Sequence, residues 1–186
     1  MDDKIFELDL QFDNSLQQRL FDLVKGPLER LLSFPALNEI HSGAAAASPE
    51  RPFTERILDT MDLEVVLSDE DRSRIPAEGA VVAVSNHPFG GIEGVILGDI
   101  LRSVRPDAKL MANFLLERIP ELRDLFIFVD PFGNNVSPLA NRSALRETLN
   151  WLKDEHMLGV FPAGVVAHWD FENRRVTDPE SAAPIG

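Results

Sequence analysis

Apolar positions in the first third of the chain recur at the spacing of one helix face. Leu16, Leu20, Phe21 and Val24 form one such stripe, and Asn14 or Ser15 stands where a helix N-cap belongs. Gly26-Pro27 is expected to break this helix, with Pro27 opening a second that carries Leu28, Leu31 and Leu32. The stripe reads either as a face packed on the body of the protein or as a face that touches a membrane surface. His41 to Ser48 is a run of small residues, either a loop or tether or the extension of a helix. Pro49 to Met61 predicts another helix, with Phe53, Ile57, Leu58 and Met61 apolar. Leu63 to Leu67 predicts a strand, and Asp69 to Arg74 a charged, solvated surface segment.

From Ala80 onward the period switches back and forth. Ala80 to Val84 is short, apolar and rich in Val, as expected of a strand covered on both faces. Gly94 to Val104 predicts a helix, Ala108 to Ala112 a strand, and Phe114 to Arg123 a helix that Pro120 kinks or breaks. Leu125 to Val129 and His156 to Phe161 predict two more buried strands. Between them Ser143 to Lys153 predicts a helix with Leu145, Leu149 and Leu152 on one face. Strand–helix–strand alternation at this spacing implies an α/β fold, a mostly parallel sheet flanked by helices. The expected organisation is an N-terminal helical segment, residues 1–62, packed on an α/β domain, residues 63–186. After Val176 the chain offers no further strand or helix, so either the domain is small or its last elements lie beyond Gly186.

Composition narrows the class. The 186 residues are 44% hydrophobic, enough for a sizeable core and too apolar for a disordered chain. No apolar stretch approaches the roughly 18 residues of a membrane span. The Met-Asp-Asp-Lys start lacks the layout of a signal peptide, so the expected place is the cytoplasm. Lys and Arg total 18 against 31 Asp and Glu, a formal charge of −13. That balance argues against nucleic acid and against attachment to anionic lipid by charge alone. The absence of Cys removes thiolate nucleophiles and Cys-ligated metal centres. His168 and Asp170 lack further ligands at suitable spacing, so no metal and no cofactor is expected. His41, His156, Trp151 and Trp169 read as structural.

The strongest local signal is Ser85-Asn86-His87-Pro88-Phe89-Gly90-Gly91-Ile92-Glu93-Gly94, directly after an apolar strand and before a helix. In open α/β sheets that edge collects ligands. Histidine exchanges protons near neutrality. A carboxylate accepting its Nδ1 proton would leave Nε2 as a base, and Gly90-Gly91 lets the chain turn so that Glu93 can reach back. The same glycines can offer backbone N–H groups to an oxyanion or phosphate. A plain structural reading, a tight loop with an ordinary half-buried histidine, stands beside this one.

The segment resembles the first motif of the glycerolipid acyltransferases, an Asn-His followed by a carboxylate. Asn86 through Gly94 are most similar to the bacterial lyso-ornithine-lipid and haemolysin-like branch, Asn-His-Pro-x-Gly-Gly-x-Asp-Gly, with Glu93 where that branch has Asp. Phe128-Val129-Asp130 resembles the second block, with Pro131 in place of the usual Arg and Asn134 and Asn135 nearby as hydrogen-bonding groups. Val160-Phe161-Pro162-Ala163-Gly164 resembles the third, Phe-Pro-Glu-Gly in most of the family and Phe-Pro-Ala-Gly in this branch. The fourth block, a strand with Val-Pro, has no match and is expected beyond Pro179.

The resemblance implies a glycerolipid acyltransferase-like fold and transfer of a fatty acyl group from acyl carrier protein or coenzyme A to the hydroxyl of a lysolipid. It implies His87 and Glu93 as the catalytic pair. Asn86, Gly90, Gly91, Asp130, Phe161, Pro162 and Gly164 are implied as substrate-binding. Such an enzyme would meet the inner face of the cell membrane peripherally, through the N-terminal helices or through Arg102, Arg105, Lys109 and Arg118 gathered on one face. Those cations would equally suit an acidic carrier protein. The departures at Glu93 and Pro131 support a second reading, a catalytically incomplete module of the same fold that binds lipid or protein.

Overall fold

The computed structural model describes residues 4–88, 90–130, 138–162, 168–170 and 175–177, and for 138–140 and the last two stretches only the backbone. The chain forms two compact units, Met1–Leu63 and Glu64–Gly186. The first is helical: α1 (Ser15–Leu31), α2 (Phe34–Ala46) and α3 (Phe53–Thr60). Asn14 caps α1, its Oδ1 accepting from Leu16 N at 2.8 Å. The expected break at Gly26-Pro27 is absent, and Pro27 lies inside one continuous helix. Proline's steric conflict falls partly on the Cβ of the preceding residue, and Gly26 has none. The helix ends instead at Leu31, just before Ser33, whose φ of 59° is left-handed. The small-residue run from His41 continues α2 to Ala46. The strand expected over Leu63 to Leu67 does not form. That stretch pairs with no strand among the described residues.

The second unit carries the sheet. Its elements are α4 (Asp69–Ser73), β1 (Val81–Val84), α5 (Gly91–Val104), β2 (Lys109–Asn113), β3 (Phe126–Val129), α6 (Pro138–Lys153) and β4 (Met157–Val160). Between β2 and β3 the expected single helix is two 3-10 pieces, Phe114–Arg118 and Pro120–Leu125, parted at Ile119-Pro120. A separate antiparallel pair joins β5 (His168–Asp170) to β6 (Arg175–Thr177). The four-stranded sheet has the order β1-β4-β2-β3, and every pair in it is parallel. This is an α/β fold.

Alternation along each strand sends successive side chains to opposite faces. On one face Leu101 of α5 packs with Ala108 and Met157, joined by Ile75, Val81, Ala83 and Leu97. On the other, Ala144 of α6 packs with Ile127 and Leu158, joined by Met111, Val129, Trp151, Leu152 and Val160. Close approach of α5 depends on Gly98, where a Cβ would stand 2.7 Å from Leu125 Cδ2.

Two sequence expectations about these faces are corrected. Strand β1 is not covered on both sides. It is a terminal strand, and Val82 and Val84 are 51% and 65% exposed. Helix α6 packs through only one of its three expected leucines: Leu152 joins the cluster, Leu145 and Leu149 are exposed, and Ala144 and Thr148 are buried. Small residues let the helix lie close to the sheet, and Thr148 satisfies its hydroxyl on Ala144 O at 2.9 Å.

Candidate active site

In a parallel sheet all strands leave by the same edge, so β1, β4, β2 and β3 deliver Ser85, Phe161, Phe114 and Asp130 to one rim. Strands β1 and β4 are in direct register, Val84 opposite Val160, and their ladder runs one rung further, with Ser85 N donating to Val160 O at 3.1 Å. The chain then turns through Asn86, His87 and Pro88. Gly90 has φ 101° and ψ −129°, a conformation that L side chains rarely adopt, and α5 starts at the next residue. This places Glu93 in the first turn of α5, where the helix dipole favours a carboxylate.

His87 and Glu93 come together. Nδ1 of His87 lies 3.9 Å from Oε2 of Glu93, with the side chains 20% and 13% exposed. The separation exceeds a formed hydrogen bond, and buried Nδ1 has no hydrogen-bond partner among the described residues. One face of the imidazole lies against Phe161, ring centroids 4.6 Å apart and planes tilted by 32°. The pair therefore has the layout in which a carboxylate fixes the Nδ1 proton and Nε2 acts as base. Catalytic hydrogen bonds are commonly longer in unliganded sites and tighten with substrate.

The other expected site residues distribute unevenly. Gly90 and Gly91 form the turn and the first residue of α5, Asn86 is exposed in the loop, and Pro162 is exposed in the turn after β4. Asp130 is buried at the end of β3. It shares the rim but not the neighbourhood of His87, since β3 stands three strands from β1, roughly 14 Å at about 4.8 Å per strand. Gly164, with Pro131, Asn134 and Asn135, lies outside the described residues. Sequence reasoning missed Asn141. From α6 its Oδ1 accepts from Asp130 N and its Nδ2 donates to Asp130 O, both at 2.9 Å, a clamp that mimics a neighbouring strand. No local pattern points to it.

Of the four cations expected on one face, Arg118 is exposed, while the other three are engaged within the fold. Arg105 is buried, donating to Asp107, to Gly79 O at 2.6 Å and to Glu155 O at 2.8 Å. Arg102 donates to the carbonyls of Ala108 and Asp124, and burial lowers its pKa. Lys109 pairs with Glu147 at 3.2 Å and sits over the Trp151 ring at 4.4 Å. Residues 105 and 109 precede or begin β2, at the end of the sheet opposite His87. These cations brace the fold. Among the described residues no group of three or more His, Asp or Glu is placed to hold a metal.

A family model described as Acyltransferase matches residues 17–175. The chain belongs to the acyltransferase family. The acyltransferase match begins in α1, crosses both units and ends in β6. Among curated proteins, the chain is similar to the lyso-glycine lipid O-acyltransferase of Bacteroides thetaiotaomicron, 29% identical over 114 residues. That alignment covers 61% of this chain and 39% of the relative, so the chain spans about two fifths of that acyltransferase's length. No solved structure matches the chain.

Proposed function

We propose that the chain transfers an acyl group from a thioester, carried on acyl carrier protein or coenzyme A, to the hydroxyl of a lysolipid. The reading rests on the His87–Glu93 pair at the sheet rim in a chain of the acyltransferase family. Nε2 of His87 takes the hydroxyl proton as that oxygen attacks the thioester carbonyl. The C–O bond forms and the C–S bond breaks. The proton passes from the imidazolium to the departing thiolate, leaving an ester and a thiol. Glu93 stabilises the imidazolium, and backbone N–H groups around Gly90 and Gly91 stabilise the developing oxyanion. No covalent intermediate on the enzyme is required. The acceptor class is supported by the lysolipid named for the Bacteroides relative. The test is transfer between an acyl thioester and a lysolipid, and activity undiminished in His87→Ala would overturn the mechanism.

A lipid acceptor asks for a route to the bilayer. No helix among the described residues is long and apolar enough to cross a membrane. Leu16, Leu20, Leu23 and Leu31 of α1 are largely exposed, and they supply an apolar face for peripheral contact with the inner face of the cell membrane. The second reading, a non-catalytic lipid- or protein-binding module, is favoured by one observation, the 3.9 Å gap between Nδ1 and Oε2. The same assay separates the two.

A further inference from the structure

We infer that Phe161 is a positioning residue for His87, fixing the plane of the imidazole for proton transfer. The inference rests on the function proposed above and adds a role that its chemistry does not require. A histidine ring turns about a broad, two-fold terminal torsion, so its plane is set by its neighbours rather than by its own rotamer preference. A hydrogen bond would ordinarily do this. Here Nδ1 is buried without a hydrogen-bond partner among the described residues, and the Glu93 carboxylate stands 3.9 Å away. Among the described residues the Phe161 ring lies against the imidazole, the centroids 4.6 Å apart and the planes tilted by 32°.

Phe161 is itself held. It follows Val160, which is paired with Val84 and accepts from Ser85 N at 3.1 Å. The last rung of the β1–β4 ladder thus sets both the strand end that leads to the imidazole and the one that carries the phenyl. A contact on the ring face does not use the ring nitrogens: Nδ1 stands 3.9 Å from Oε2 of Glu93, and Nε2 is assigned to the substrate hydroxyl. It also has a consequence in the transition state. As His87 accepts the proton its ring becomes cationic, and the negative π-face of Phe161 is a favourable neighbour for it. Phe161 was expected from the sequence to contact substrate. The stack gives its ring a different partner.

The test compares Phe161→Leu, Phe161→Tyr and Phe161→Trp in the full 186-residue chain. Leucine keeps apolar bulk and removes the flat π-face. The expected result for Phe161→Leu is a loss of kcat of roughly 10- to 100-fold, the scale of a misoriented catalytic group. KM for both substrates should stay within about twofold, as for an interaction made only on the way to the transition state. Phe161→Tyr and Phe161→Trp should retain most of the wild-type kcat. Isotope-labelled histidine gives a readout independent of turnover. The His87 ring protons should carry a ring-current shift in the wild type and in Phe161→Tyr, and lose it in Phe161→Leu. A kcat unchanged in Phe161→Leu, a raised KM at constant kcat, or a Phe161→Tyr as impaired as Phe161→Leu would overturn the positioning role. A chain with no transfer, or with transfer untouched in His87→Ala, would instead overturn the proposed function. The resonance arm then still decides the contact, since an unshifted His87 in the wild type overturns it.

Discussion

Glu93 carries one more methylene than the aspartate of the branch that the motif resembles, and it approaches His87 from the first turn of α5. Its expected contribution is electrostatic, to the imidazolium, rather than to substrate affinity. Glu93→Gln should therefore lower kcat by about 10²- to 10⁴-fold, with KM little changed, in the thioester–lysolipid assay. Glu93→Asp should lose less. At the far end of the sheet, hydrogen bonding from Arg105 is the largest cause holding the Asp107 carboxyl below its usual value of 3.8, and burial partly opposes it. A folded pKa lower than the unfolded one gives stability that is complete above the unfolded value and lost as pH falls through the folded one. Thermal unfolding should thus be insensitive to Asp107 titration near neutrality and weaken below about pH 4. Asp107→Asn should cost about 1–3 kcal/mol at neutral pH, a difference that shrinks on acidification. At this scale His87 and Glu93 were legible because one short run carries both. The Phe161 stack and the Asn141 clamp were not, since each joins residues that only the strand order brings together.

The strands and helices of the second unit were largely legible, because the short apolar runs and the intervening helical periods are strong local signals. Their faces were less so. A run such as Val81–Val84 reads the same whether one side or both are covered, and it takes the strand order to place β1 at the end of the sheet. In α6 Leu145 and Leu149 mark the helix but not its buried side, which Ala144 and Thr148 occupy. Leu145→Lys and Leu149→Lys should each change unfolding free energy by less than about 0.5 kcal/mol. Ala144→Leu should cost about 1–3 kcal/mol by overpacking the narrow space against Ile127 and Leu158. Denaturant unfolding of the three variants checks the assignment of faces. The Gly26-Pro27 signal misled for a related reason. Breaker residues act through particular atoms, and the glycine lacks the atom that would have clashed.

Across the whole molecule, charge and apolar surface make opposing demands. The formal charge is −13, while α1 exposes Leu16, Leu20, Leu23 and Leu31. The proposed peripheral membrane contact would under those conditions be apolar rather than electrostatic. Flotation should recover more of the chain with zwitterionic vesicles than with anionic ones, and salt should narrow the difference. Replacing Leu20 and Leu23 together by Glu should lower partitioning more than tenfold, since burying each leucine is worth about 1.5–3 kcal/mol. Recovery that does not depend on these two leucines would sink the α1 contact. The helix boundaries inside the first unit depended on a left-handed Ser33 that composition does not announce.

The pairing of Val81 with Met157 and of Val84 with Val160 has a consequence beyond cohesion. Because side chains alternate, a one-residue slip of one strand along the other would reverse every face of it. Inert valines thus act as the alignment gauge for the proposed site, and a single insertion or deletion among them is expected to silence it while leaving His87, Glu93 and Phe161 all present in the chain.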